Sequence, residues 1–99
     1  MTSAEEVEVI NVGLTESLDI SSVHDLCAEL RMALDAGTPI TLDGSAVEHV
    51  DVAAVQVLIS LFSYAGSIRC KLDWRRPSEE LVNRTKLLGI DKYIGLDVR

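Results

Sequence analysis

A chain of 99 residues, 47% hydrophobic and 25% charged, has the composition of a globular protein with room for one core, which excludes a second domain. Its formal net charge is −7 and unevenly spread: residues 1–51 hold eleven acids against Arg31 alone, whereas residues 52–99 hold five acids against eight bases. An acidic chain without a Lys/Arg stripe is poorly suited to neutralising phosphates, so nucleic acid and anionic membrane are set aside as first partners.

The first eight residues, MTSAEEVE, lack the basic-then-apolar pattern of a signal peptide, so a cytoplasmic location is expected. Cys27 and Cys70 are then expected to stay reduced and to act as small hydrophobes, with one disulfide between them the alternative. The chain shows no internal repeat, and turn residues cut it into short elements. Val7 to Val12 is rich in β-branched residues and reads as a strand. After Gly13, Leu14 to Leu18 is placed as its hairpin partner. Ser21 or Ser22 supplies an N-cap, and Val23, Leu26, Cys27, Leu30 and Leu34 recur at helical spacing until Gly37 and Pro39.

Ile40 to Asp43 reads as a short strand, followed by a Gly44-Ser45 turn and irregular chain to Val50. Asp51 caps a helix from about Val52 to Ala65 that Gly66 closes. Residues 52–68 carry no charge, yet Gln56, Ser60, Ser63, Gly66 and Ser67 interrupt them, and a membrane span requires ~20 mainly apolar residues. A buried helix with one polar stripe, Gln56, Ser60 and Ser63, accounts for the run. Ile68 to Arg75 alternates apolar and charged residues as a half-buried strand does. Pro77 and Ser78 start a last helix, with Leu81, Val82, Thr85 and Leu88 inward and Gly89 as its stop. The strand–helix–strand unit from 40 to 75 predicts a right-handed parallel crossover. The fold class is α/β: a small mixed sheet of about four strands, with helices packed mainly on one face.

Asp43, Ser45, His49 and Asp51 fall within nine residues and invite a test for hydrolytic chemistry. A triad needs Ser–His and His–Asp hydrogen bonds from convergent elements, and neither a G-x-S-x-G elbow nor a glycine-rich oxyanion turn is present. Turn formation by Ser45 and a surface imidazole at His49 are the simpler expectation. Adding His24 gives no metal-ligand spacing, since H-x-x-x-H and C-x-x-C are both missing. The phosphate-cradling glycine motifs are absent as well, and no cofactor is expected. What remains is Val52, Ala53 and Ala54, small or apolar residues directly after the cap, which either pack on the sheet or offer a surface for a partner.

The segment LDGSAVEHVDVAA, Leu42 to Ala54, resembles the signature of the STAS domain, the anti-sigma factor antagonist family. Asp43, Ser45, Val47, Val50 and Asp51 match its spacing, and Val55, Leu58 and Leu61 continue its leucine-rich helix. PSEELVNRTKLL, Pro77 to Leu88, followed by Gly89-Ile90-Asp91, is similar to the family's last helix and its end. The resemblance covers nearly the whole chain and implies a cytoplasmic, non-enzymatic module that docks a protein partner through the loop before the second helix and that helix's first turns. On this sequence those residues are Ser45, His49, Asp51, Val52, Ala53, Ala54 and Val55.

In the family's antagonists a partner kinase phosphorylates the Ser or Thr directly after the equivalent of Asp51. Here that residue is Val52, which has no hydroxyl, and the glycine two residues on is Ala54. The resemblance therefore implies a phosphorylation-independent adaptor in bacterial signalling, whether sigma-factor, two-component or chemotaxis-linked. The alternatives are the small STAS subunit of a phospholipid-transport ABC system and a domain that senses a small ligand. The partner would accordingly be an anti-sigma kinase-like protein, a chemotaxis or signalling protein, or an ABC ATPase. A homodimer through the first strand or residues 52–55 stays open. Asp43, Glu48 and Asp51 are expected at the same end of the parallel strands as Arg75 and Arg76, forming a small acidic rim around an uncharged helix start.

Overall fold

The structure, a computed structural model, describes residues 9–97. Its elements are β1 (Ile10–Gly13), β2 (Ser17–Leu18), α1 (Ile20–Asp35), β3 (Ile40–Asp43), β4 (His49–Val50), α2 (Val52–Ser67), β5 (Leu72–Arg75), α3 (Glu79–Leu87) and a closing 3₁₀ turn (Asp91–Ile94). Val7 and Glu8 of the expected first strand lie outside the described residues.

The register explains the layering. β1, β3 and β5 form one sheet in the order β1-β3-β5, with Ile10, Ile40 and Leu72 paired in one row and Val12, Leu42 and Trp74 in another. Paired residues of a sheet share a face, so one face is apolar. The alternate rows, Asn11–Thr41–Asp73 and Gly13–Asp43–Arg75, make the other face polar. α1 and α2 pack on each other and bury Val23, Cys27, Leu30 and Leu34 with Val55, Leu58 and Leu61, in one core with Ile40 and Leu42. The expected α/β class, with its helices on the apolar side, is the observed one.

Two strand assignments are corrected. Leu14 to Leu18 does not return as a hairpin partner of β1. Instead Ser17 and Leu18 pair in parallel with His49 and Val50, forming a second, two-stranded sheet. Every strand pairing among the described residues is parallel, so the mixed sheet of about four strands becomes a parallel three and a parallel two. The β2–β4 pairing also reveals a repetition that the bare sequence hides. LDISSV (Leu18 to Val23) and VDVAAV (Val50 to Val55) each end a two-residue strand and open a 16-residue helix. The α1 cap is accordingly Asp19, whose carboxylate accepts the Ser22 N–H at 3.0 Å, and neither Ser21 nor Ser22.

All three helices end in the same hydrogen-bond pattern, with a left-handed residue after the cap. Thr38 N–H donates to Ala33 O and Gly37 N–H to Leu34 O; Ile90 N–H donates to Thr85 O and Gly89 N–H to Lys86 O. In α2 the matching bonds are Cys70 N–H to Ala65 O and Arg69 N–H to Gly66 O. These are Schellman motifs, whose left-handed position favours glycine. Gly37 and Gly89 fill it in α1 and α3, but in α2 it is Arg69, at φ 58°.

Gly66 therefore does not close α2, which runs on to Ser67. This turn consumes the start of the expected alternating strand: Ile68 is the helix cap and is exposed, and β5 begins only at Leu72. Because a left-handed non-glycine residue costs roughly 1–2 kcal/mol, Arg69→Gly is expected to raise stability, net of glycine's greater chain entropy, by up to about 1 kcal/mol. Urea unfolding of the two proteins checks it.

The last helix holds its expected side. Leu81 and Thr85 are wholly buried and Val82 half-buried, while Leu88 is exposed rather than inward. The Thr85 hydroxyl donates back to the carbonyls of Leu81 and Val82, which satisfies a buried polar group locally. Trp74 stacks on Phe62 of α2 at 6.0 Å between centroids, and its indole N–H donates to Ile94 O at 2.6 Å, so the closing turn is tied to β5 and α2. Cys27 and Cys70 are both free thiols, and burial pushes the Cys27 thiol up to about 11.

Candidate functional site

The two β–α junctions lie side by side because β2 and β4 run parallel. Asp51 leaves β4 with its N–H on Leu18 O (3.0 Å) and turns its carboxylate onto the Ala53 N–H (3.0 Å). Its own carbonyl accepts from Ala54 and Val55, which fixes the first turn of α2. A cap of this type contributes about 1 kcal/mol, and the carboxylate meets the positive end of the helix dipole. Asp51 thus acts as a helix cap, as its place in the sequence predicts.

The loop leading to this junction is held at both ends. Val47 is buried as an anchor, and the Gly44 carbonyl accepts from Val47 and Ser78 while the Gly44 N–H donates to Arg75 O. Ser45 is exposed, and its N–H donates to Asp43 Oδ1 at 2.9 Å. Arg76, in the left-handed region at φ 51°, brings its guanidinium to Asp43 Oδ2 at 3.0 Å. The Ser45 hydroxyl and N–H, then Arg76, hold the Asp43 carboxyl down to about 2.

Since the folded value lies below the ordinary carboxylate value, the stabilisation is complete above about pH 4 and is lost as pH falls toward about 2. Arg76→Ala is expected to lower stability modestly above about pH 4, to converge with wild type as pH falls toward about 2, and so to flatten the profile across that acid window, the part owed to Ser45 remaining. Thermal melts at stepped pH measure it.

The residues expected to meet a partner divide into two groups. Ser45, His49, Asp51 and Val52 are exposed and Ala53 is half-buried. Ala54 and Val55, by contrast, are fully buried in the core, because they fall on the side of α2 that is turned inward. They are corrected from contact residues to packing residues. Val52 is 41% exposed, an aliphatic side chain standing in water directly after the cap.

Ser45 lies in a turn and His49 is exposed, as the simpler expectation had them. Ser45 and Asp51 spend their hydrogen bonds on Asp43 and on Ala53, and among the described residues no hydrogen bond joins Ser45, His49 and Asp51 to one another. His24 lies by Asp25, at 3.9 Å. Glu16 belongs to this end of the fold although nothing in its own stretch of sequence marks it. β2–β4 pairing carries it to Glu48 and His49, and one ligand-type atom from each lies within 4.8 Å of the others, all exposed. No local spacing could show this, because Glu16 is thirty-two residues from Glu48. The acidic rim is therefore Glu16, Glu48 and Asp51, whereas Asp43 is compensated by Arg76.

A cleft of about 430 Å³ opens between α1 and α2, with Cys27, Val57 and Leu61 inward and Arg31, Met32 and Tyr64 along its edges. The Arg31 guanidinium lies 4.0 Å over the Tyr64 ring, and the Tyr64 hydroxyl donates to Asp35. The cleft lies between the two helices, and its size is that of a small-molecule site.

Fold and junction together define a small α/β module in which two capped helices start side by side beside an acidic, exposed apolar spot. The family model described as Mlab, STAS domain matches residues 1–97, and the chain belongs to the STAS family. No curated protein matches the chain. No helix among the described residues is long and apolar enough to cross a membrane.

Proposed function

We propose that this STAS domain is a non-enzymatic protein-docking module that acts as a regulatory adaptor in bacterial signalling, with the exposed start of α2 as its contact surface. The observation that carries the reading is Val52: an aliphatic side chain 41% exposed, directly after the Asp51 cap and on the helix that follows the strand pair flanked by Glu16 and Glu48. Such a surface suits a partner with an apolar centre and basic groups at its edge, where rim charges steer encounter and the centre supplies affinity. Valine offers no hydroxyl for a phosphate, so docking is independent of phosphorylation at this position.

The matching family's description, which names Mlab beside the STAS domain, favours a second reading, the transport-subunit branch in which the partner is an ABC ATPase. Affinity purification of the full chain from its native cell, followed by identification of what co-purifies, separates the two. An ATPase-fold kinase or a chemotaxis protein supports the first, and an ABC ATPase the second. A partner whose binding is unaffected by changes at Val52 overturns the assigned surface under either.

A further inference from the structure

Two further surfaces are complementary in charge, and both belong to this chain; the acidic one shares Glu16 with the rim described above. One is a knob. Leu87 on the outer side of α3 is 81% exposed, with Leu88 and Tyr93 at 41% and 56% beyond it. Arg84 precedes Leu87 and Leu88 by three and four residues and so shares their side of the helix; Lys86 adjoins them and Lys92 lies 5.5 Å from the Tyr93 ring. All three cations are exposed, and among the described residues none of them enters an ion pair. An exposed leucine alone is ordinary, but an apolar cluster edged by three exposed cations against the single acid Asp91 marks a contact surface with a net positive rim.

The other is a hole. A cleft of about 210 Å³ opens between the end of β1 and the first turns of α1, lined by Gly13, Leu14, Leu18, Val23 and Leu26 among others. Apolar cavities of about 150 Å³ admit a benzene-sized group, so this one has room for a leucine side chain. The same segment carries Glu16 and Asp19, exposed and without a cation partner among the described residues. Within one chain α3 packs on β4 and the closing turn, and Leu87 at 81% exposure does not fill its own chain's cleft.

We propose that the protein self-associates head to tail: Leu87 of one copy enters the cleft beside α1 of the next, with Arg84, Lys86 and Lys92 facing Glu16 and Asp19 around it. The uneven charge of the sequence supplies both rims, the acids from its first half and the cations from its second. Because the two surfaces differ, the contact is heterologous and adds copies in a row instead of closing a two-fold pair. A patch of this size belongs with weak, transient interfaces, so assembly grows with concentration and fades with salt.

Sedimentation velocity of the full chain, from micromolar to millimolar and at low and high salt, tests this. Average mass is expected to rise with concentration, more so at low salt. Leu87→Asp, Lys86→Glu and Glu16→Lys are each expected to raise the dissociation constant at least about tenfold. All three positions are exposed, and circular dichroism checks that each variant is folded. Mixing Lys86→Glu with Glu16→Lys puts opposite charges back across the contact and restores assembly. A monomer at every concentration overturns the proposal; so does association that Leu87→Asp leaves unchanged, or a mixture that assembles no better than its components.

Discussion

Leu81→Ala is expected to cost about 2–5 kcal/mol and Gly44→Ala about 1–3 kcal/mol, with the double variant less destabilised than the sum. Leu81 is fully buried, so truncating it leaves a cavity under the start of α3. Gly44 fails in the opposite sense. A methyl group there would lie 3.0 Å from Leu81 Cδ2, 3.1 Å from Trp74 Cζ3 and 3.3 Å from the Pro77 Cα. The leucine end can turn aside, but the proline backbone cannot, so the strain is only partly relieved.

Removing the Leu81 side chain takes away the closest of those atoms, and the methyl group added by Gly44→Ala occupies part of the space it leaves. The two changes therefore couple through one volume. In a domain of this size each kcal/mol moves the melting temperature by about 4–8 °C, which puts both single variants well within reach of a thermal scan. Additive effects within about 0.5 kcal/mol would show that α3 does not close on the Gly44 turn as described. The result also bears on the site, because Gly44 accepts the Val47 and Ser78 N–H groups at the root of the loop that carries Ser45.

What the sequence showed plainly was local. Val23, Cys27, Leu30 and Leu34 advertise the buried side of α1 by spacing alone, and Ile40 and Leu42 do the same for β3. Asp51 is a cap because a carboxylate there faces unpaired N–H groups, whatever the rest of the fold does. The same logic misplaced the α1 cap, since Ser21, Ser22 and Asp19 all suit the role. Only the parallel pairing of β2 with β4 aligns Asp19 with Asp51 and decides it.

The end of α2 went wrong for a related reason. Glycine is the usual left-handed residue after a helix, so Gly66 drew the boundary, but the turn that closes Cys70 onto Ala65 falls three residues later, on Arg69. Ala54 and Val55 looked like surface because small residues at a helix start suit close approach to anything. Which side of α2 turns into the core is a tertiary fact, and it sends both inward. Glu16 joined the rim through strand pairing across more than half of the first fifty residues, a distance over which no motif reads.

Val52→Asp is expected to leave the domain folded and to weaken its complex with the co-purified protein at least tenfold, or about 1.4 kcal/mol. Folding is protected on two counts. Val52 is partly exposed, so little buried area is lost, and a carboxylate in the first turn of a helix is favoured by about 0.3–1 kcal/mol. Binding has no such protection, since the new charge enters the apolar centre of an already acidic rim and must be desolvated against a partner's apolar surface. Val52→Thr, close to valine in shape, separates charge from contour: it is expected to bind within a few-fold of wild type. Titration calorimetry with the purified partner reads both variants. Val55→Asp is no substitute for this test, because that side chain is wholly buried and its replacement would unfold the domain. Equal affinity for wild type and a folded Val52→Asp protein would move the docking surface away from the start of α2.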